Sequence, residues 1–145
     1  MLMLETIRNA WSWAGLNPAE IVYINSFGNL IVKDVSGIFW RICPEGLTCR
    51  KIATDFSKFT ELWRSENFQL DWRMAEMVEI AEKKLGPLQK DECYYFKLSP
   101  VVGGKYDAAN LAKISLKELI AFSGDFAEQI KDVPDGGQIE IKFVK

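Results

Sequence analysis

The chain has 145 residues, of which 20 are acidic, 18 are basic and none is histidine. A chain of this length can bury about 70% of the surface that its unfolded form exposes, so it needs no metal or disulfide for stability. The absence of histidine excludes Ser-His-Asp triads and zinc sites with histidine ligands. The net charge of −2 lacks the basic excess that nucleic-acid backbones require, so we expect no direct contact with DNA or RNA.

The cysteines and the N-terminal segment indicate a cellular compartment. Cys43, Cys49 and Cys93 are odd in number and form no C-x-x-C pair, which fits a reducing environment better than a zinc ribbon or a disulfide framework. The first residues lack the basic flank and apolar run of a signal peptide, and no apolar run approaches the roughly 18 residues that span a bilayer. We therefore expect a cytoplasmic protein that binds no membrane, metal or cofactor.

The first half of the chain predicts one helix followed by an antiparallel meander. Leu4, Ile7 and Trp11 have helical spacing, and Gly15 provides a helix stop. Four short apolar runs separated by turn residues follow, at about 21–24, 30–32, 38–42 and 47–53. In the third run, Ile38, Trp40 and Ile42 alternate with Phe39 and Arg41, a pattern typical of a half-buried strand.

The second half predicts three helices and three more strands. The helices are a stretch that follows the cap residue Asp55, an apolar stripe from Trp72 to Leu85, and a segment that begins at the S-x-x-E capping box of Ser115 and continues to about Lys131. The strands are at about 93–96, 111–114 and 139–143. The order of elements predicts an α+β fold in a single compact domain, 1–145, with an antiparallel sheet of short strands packed with about four helices.

Three features could carry chemistry, and each also has an ordinary structural explanation. Gly103-Gly104-Lys105 resembles part of a phosphate loop but lacks its first glycine and its Ser or Thr. The carboxylates of Glu76, Glu79 and Glu82 lie beside lysines, as on a solvated helix. The three thiols have no histidine to activate them, so small buried side chains are the favoured interpretation. We expect no catalytic residues.

The charge of the C-terminal region is more informative. Between Glu118 and Glu140 there is one basic residue, Lys131, so this segment carries −5 while the rest of the chain sums to +3. On a helix, Glu118, Asp125, Glu128 and Asp132 fall within a sector of about 80°. The apolar residues that we expect to face the core are Leu116, Leu119, Phe122, Phe126 and Ile130. The carboxylates form either a solvated surface or a docking face for a basic partner.

Two further residues complete the candidate binding set. Asp135 lies in the same acidic segment, in the turn Pro134-Asp135-Gly136-Gly137. Trp13 is one of five tryptophans, and because Trp11 already occupies the apolar stripe of the first helix, Trp13 must point elsewhere. The candidate contact residues are therefore Glu118, Asp125, Glu128, Asp132, Asp135 and Trp13.

Several runs resemble a known family. They are Asn25-Ser26-Phe27-Gly28-Asn29-Leu30, Phe39-Trp40-Arg41-Ile42-Cys43-Pro44-Glu45, Leu85-Gly86-Pro87-Leu88, and the stretch from Ser123-Gly124-Asp125 through Asp132-Val133-Pro134-Asp135-Gly136. In order and spacing they are similar to bacterial type VI secretion immunity proteins that neutralise DNase toxins. The resemblance implies a GAD-like part at 1–65 and a C-terminal immunity part at 66–145, packed as one unit.

The resemblance also implies a function and a partner. An immunity protein of this kind binds a cognate toxic effector, here a basic nuclease, and blocks its active or substrate-binding site without performing catalysis. The alternative is a stand-alone ligand-binding or housekeeping module, with a pocket near the 101–107 loop. An enzyme without histidine is a more distant alternative.

Overall fold

The computed structural model describes residues 2–133. In that range the chain forms five α-helices, six β-strands and three short 3-10 turns. The helices are α1 (Leu2–Trp11), α2 (Phe56–Arg64), α3 (Glu66–Arg73), α4 (Ala75–Leu85) and α5 (Leu116–Ile130). The strands are β1 (Pro18–Ile24), β2 (Leu30–Asp34), β3 (Phe39–Cys43), β4 (Thr48–Ala53), β5 (Glu92–Phe96) and β6 (Leu111–Ser115). The predicted α+β class is confirmed, whereas the strand expected at 139–143 lies outside the described residues.

The first four strands form the predicted antiparallel meander, in the order β1-β2-β3-β4. The turn between β2 and β3 is organised by Asp34. Its carboxylate accepts hydrogen bonds from the backbone N–H groups of Ser36 and Ile38, at 2.8 and 2.9 Å, and from the indole of Trp40 at 2.9 Å. The buried carboxylate is thus fully partnered, which aligns the two strands.

The meander is covered on both faces, so the prediction of a half-buried third strand is wrong. Trp40 and Ile42 pack into a core beneath α1 and α5, as expected. Phe39, on the opposite face, is also buried, and its ring stacks on Phe59 of α2 at a centroid distance of 4.3 Å. Alternation of side chains specifies the two faces of a strand, but burial of the second face depends on the position of α2.

The apolar stripe from Trp72 to Leu85 spans two helices rather than one. The chain breaks at Met74, which has left-handed backbone angles (φ 47°, ψ 42°). The side-chain amide of Asn25 donates to the carbonyl of Trp72 at 2.9 Å and so satisfies a group that the break leaves free. Helix α3 is therefore an element additional to the four helices expected from sequence.

Strands β5 and β6 pair as a separate two-stranded sheet. The backbone N–H of Tyr94 in β5 donates to Ser26 at 2.8 Å, which ties this sheet to the β1–β2 turn. Helix α5 follows β6 and packs on α1. No helix within residues 2–133 is both long enough and apolar enough to cross a lipid bilayer.

Candidate functional site

Helix α5 begins as the sequence predicts. The side chain of Ser115 accepts a hydrogen bond from the backbone N–H of Glu118 at 3.1 Å, which caps the helix. The residues buried on α5 are Leu116, Leu119, Ile120, Ser123, Gly124 and Ala127. Leu116 and Leu119 were expected on this face.

The expected inward position of Phe122 is wrong, because 58% of its surface is exposed. Phe126 is half-buried, with its ring 6.0 Å from that of Phe122. The cause is the contact between α5 and α1 at Gly124, where an added Cβ would lie 2.5 Å from the carbonyl oxygen of Ala10. Because only small residues fit this contact, Ser123 and Gly124 face inward and the larger Phe122 turns outward.

The acidic side of α5 faces away from the core, as its spacing predicts. Glu118, Asp125 and Glu128 are exposed on the helix, and Asp132 is exposed just beyond its end. We call these four residues the acidic face. Within residues 2–133 none of their carboxylates forms an ion pair, although Gln129 donates to Asp125 at 2.9 Å. Asp135, the fifth acidic candidate, lies outside the described residues.

A shallow groove of about 290 Å³ separates α1 from α5 beside the acidic face. Asp125 and Glu128 line it, together with Asn9 and Lys117. Lys117 therefore brings one positive charge to the edge of the acidic face.

Trp13, the remaining candidate, lies in the 3-10 turn after α1 and is half-buried. Its indole nitrogen donates to the carbonyls of Ala10 at 2.8 Å and Gly124 at 3.2 Å. Its ring stacks against Trp11 at 5.6 Å, and the ammonium group of Lys131 lies 5.5 Å from its centre. Trp13 thus joins the two helices beside the acidic face, and only part of it is open to a partner.

An apolar groove lies on the side of Phe122 that faces away from the acidic face. Its floor is formed by Phe27, Phe96 and Leu119, which are buried. Its walls include Phe126 on α5 and, opposite, residues of the Pro44–Leu47 turn and of the segment after β5. We call this depression the Phe122 groove. Its volume is about 40 Å³.

A larger cleft of about 350 Å³ lies on the far side of the Pro44–Leu47 turn, and charged side chains, among them Arg41, Glu45 and Asp71, line it. The buried Asn29 connects two of the lining residues. The side-chain amide of Asn29 donates hydrogen bonds to both carboxylate oxygens of Glu45, at 2.9 and 2.8 Å, and its side-chain carbonyl accepts two from Arg41, at 3.1 and 2.9 Å. Arg41 also pairs with Asp71 and lies 5.3 Å from the ring centre of Trp72. We call this the polar cleft.

The structure brings the 101–107 loop to the polar cleft through Tyr106, which lines it. The neighbouring Gly104 serves close packing, since an added Cβ would lie 1.7 Å from the carbonyl oxygen of Leu98. The glycine is thus required by the loop's contact with the segment after β5.

The cysteines show no sign of activation. Burial raises the pKa of Cys43, Cys49 and Cys93 to about 12, with carboxylates adding to the effect at Cys43 and Cys93. All three are free thiols, and at neutral pH they stay protonated, which is the unreactive form. Between residues 2 and 133, no group of three or more cysteine and carboxylate side chains is placed to hold a metal ion.

Comparison with known families identifies the chain. Residues 53–127, a little over half of the sequence, match the family described as T6SS immunity protein Tdi1, C-terminal. The chain belongs to this family. The family's description is that of an immunity protein of a type VI secretion system. The match crosses the boundary expected at residues 65 and 66, and that division into two parts stays a prediction.

Solved structures show a similar fold. The crystal structure of Atu4351 from Agrobacterium tumefaciens superposes with a TM-score of 0.56 at 14% sequence identity, covering 86% of this chain. The chain spans 63% of that protein's length, less than two thirds. At this identity the likeness concerns the fold alone. A search of curated proteins finds no match.

Two features of the site escape sequence reasoning. The outward position of Phe122 follows from the helix contact at Gly124. The adjacent small residues Ser123 and Gly124 are the sequence feature from which this contact could have been predicted. The link from Glu45 through Asn29 to Arg41 joins residues 12 and 16 positions apart, and no local pattern indicates it.

Proposed function

We propose that this immunity protein neutralises a DNase effector in the cytoplasm by covering the surface on which the effector binds DNA. The acidic face is the observation that supports the proposal. Its four carboxylates are exposed along one side of α5 and just beyond its end, and none of them forms an ion pair among the described residues. A nuclease binds a polyanion with Lys and Arg side chains. Carboxylates presented at the right spacing occupy the same positions as the phosphates.

The charge distribution favours this arrangement over a uniformly acidic inhibitor. The whole chain carries only −2, yet the segment from Glu118 to Glu140 carries −5. A local field of this kind steers a basic partner to one face and fixes its orientation. The exposed part of Trp13 lies at the end of this face and adds aromatic area to the proposed contact.

Nuclease inhibition tests the proposal directly. The product of the adjacent gene is taken as the candidate effector, purified and allowed to cleave plasmid DNA with increasing amounts of the immunity protein. We expect cleavage to stop near one equivalent, and the apparent inhibition constant to rise with the DNA concentration because protein and DNA compete. An effector that cleaves no DNA would contradict the DNase assignment, and inhibition independent of DNA would contradict occlusion of the DNA-binding surface.

A second candidate, the ligand-binding module, is favoured by one observation. Tyr106 of the 101–107 loop lines the polar cleft, whose volume of about 350 Å³ lies in the range of small-molecule sites. Native mass spectrometry of the purified protein distinguishes the two functions. A small molecule that co-purifies with the wild type and is lost in Tyr106→Ala would support the module, and a mass equal to the chain alone in both proteins would contradict it.

A further inference from the structure

Phe122 is the exposed large apolar residue of α5, and no other described part of the chain buries its ring. A phenylalanine ring in water forfeits the free energy that burial would supply, and here 58% of it stays exposed. The ring borders the Phe122 groove, whose floor is already apolar. An exposed aromatic side chain beside a preformed apolar depression is the usual arrangement of an interface anchor.

The size of the Phe122 groove restricts what can occupy it. Its volume of about 40 Å³ is far below the roughly 300–1,000 Å³ of small-molecule sites. It is above the roughly 10–15 Å³ that one water molecule needs, so a few heavy atoms fit. The groove is therefore suited to the end of one side chain of a protein partner, and not to a cofactor.

The charges around the groove specify the chemistry of that partner. Glu118 lies four residues before Phe122 and Asp125 three residues after it, so both are its neighbours on the helix surface. Both are exposed and form no ion pair within residues 2–133. Glu45 lines the opposite wall with its carboxylate already bound by the amide of Asn29, and Lys97 contributes one positive charge there. An apolar side chain that enters the groove therefore brings its neighbours into a predominantly negative rim.

We propose that the Phe122 groove receives one apolar side chain of the cognate effector, and that Lys or Arg residues flank this side chain in the effector. The inference rests on the proposed function and adds an anchor to it. The apolar contact holds the complex together, while the carboxylates of Glu118 and Asp125 pair with the flanking basic residues. The acidic face and the Phe122 groove are then two parts of one continuous surface on α5.

Dissociation kinetics test the anchor. The purified candidate effector from the adjacent gene is the probe, and Phe122→Ala is compared with Phe56→Ala, a variant of a phenylalanine on α2 that is 70% exposed. Helix α2 covers the opposite face of the meander, so the control leaves α5 unchanged. We expect Phe122→Ala to dissociate at least about 30-fold faster, as for a hot-spot residue, with little change in the salt dependence of association. Phe56→Ala should behave like the wild type.

The outcomes separate the anchor from the proposed function. If the wild type neither binds nor inhibits the effector, the proposed function fails and the inference fails with it. If the wild type binds but Phe122→Ala dissociates at the wild-type rate, only the anchor is refuted. If sedimentation shows a wild-type dimer that Phe122→Ala converts to a monomer, the groove holds a second copy of the chain, which also refutes the anchor.

Discussion

Reversing the charge of the acidic face should slow association with the effector in a salt-dependent way. The variant Asp125→Lys, Glu128→Lys and Asp132→Lys changes three exposed carboxylates and shifts the charge of the face by about six units. For a partner charge about 10 Å away in water, each unit contributes about 0.4 kcal/mol before screening. The total is about 2.5 kcal/mol, which salt then reduces.

Screening gives the expected magnitude at each ionic strength. At 0.01 M salt the Debye length of about 30 Å leaves about 1.8 kcal/mol, or a 20-fold lower association rate constant. At 0.15 M the Debye length of about 8 Å leaves about 0.7 kcal/mol, or about threefold. Stopped-flow measurement of the association rate constant across this salt range provides the assay.

A matched variant controls for the change in total charge. Glu61→Lys, Glu76→Lys and Glu82→Lys reverses three exposed carboxylates on α2 and α4 instead, and should alter the association rate constant much less. An equal effect of both triple variants would show that only net charge matters. A wild-type rate constant for the α5 variant would show that the acidic face is merely solvated, and the reasoning from charge would be refuted.

Three further predictions concern the fold that presents this surface. Gly124→Ala should lower the free energy of unfolding by about 1–2 kcal/mol in urea denaturation, because its Cβ would lie 2.5 Å from the carbonyl oxygen of Ala10, while Lys117→Ala should not. Burial raises the pKa of Asp34, but the hydrogen bonds from the indole of Trp40 and from two backbone N–H groups outweigh it and hold that pKa below its ordinary value of 3.8. The carboxylate therefore stabilises the fold above about pH 4 and loses this effect as the pH falls through the lowered value, so the deficit of Asp34→Asn should shrink on acidification; a constant deficit from pH 7 to pH 2 would contradict this. Finally, thiols with pKa values of about 12 should react slowly with a disulfide reagent at pH 8 in the native protein and rapidly in denaturant, and one fast native thiol would be inconsistent with burial.

Local patterns predicted much of this fold and the direction of the acidic face. The cap at Ser115, the meander and the spacing of the carboxylates depend on residues close in sequence, so the chain itself specifies them. The break at Met74 and the exposure of Phe122 depend on contacts with Asn25 and with α1, more than 40 residues away. Periodicity places side chains on faces, but it does not decide which face meets a neighbouring element.

The runs that resemble the family mostly build the scaffold. Asn25 accepts two backbone hydrogen bonds in the β1–β2 turn, at 3.0 and 2.9 Å. Gly28 has a left-handed backbone (φ 72°), and an added Cβ would lie 2.7 Å from the side chain of Leu119. Asn29 connects Glu45 with Arg41. The last run differs, because it contains the candidate contact residues Asp125, Glu128, Asp132 and Asp135.

Co-expression with the effector of the adjacent gene tests the central claim most directly. Cells that produce the effector alone should lose viability, and cells that also produce this protein should survive. The α5 variant Asp125→Lys, Glu128→Lys and Asp132→Lys, produced at the same level, should protect less well than the Glu61, Glu76 and Glu82 control. Killing that continues in the presence of the folded wild-type protein would contradict the account.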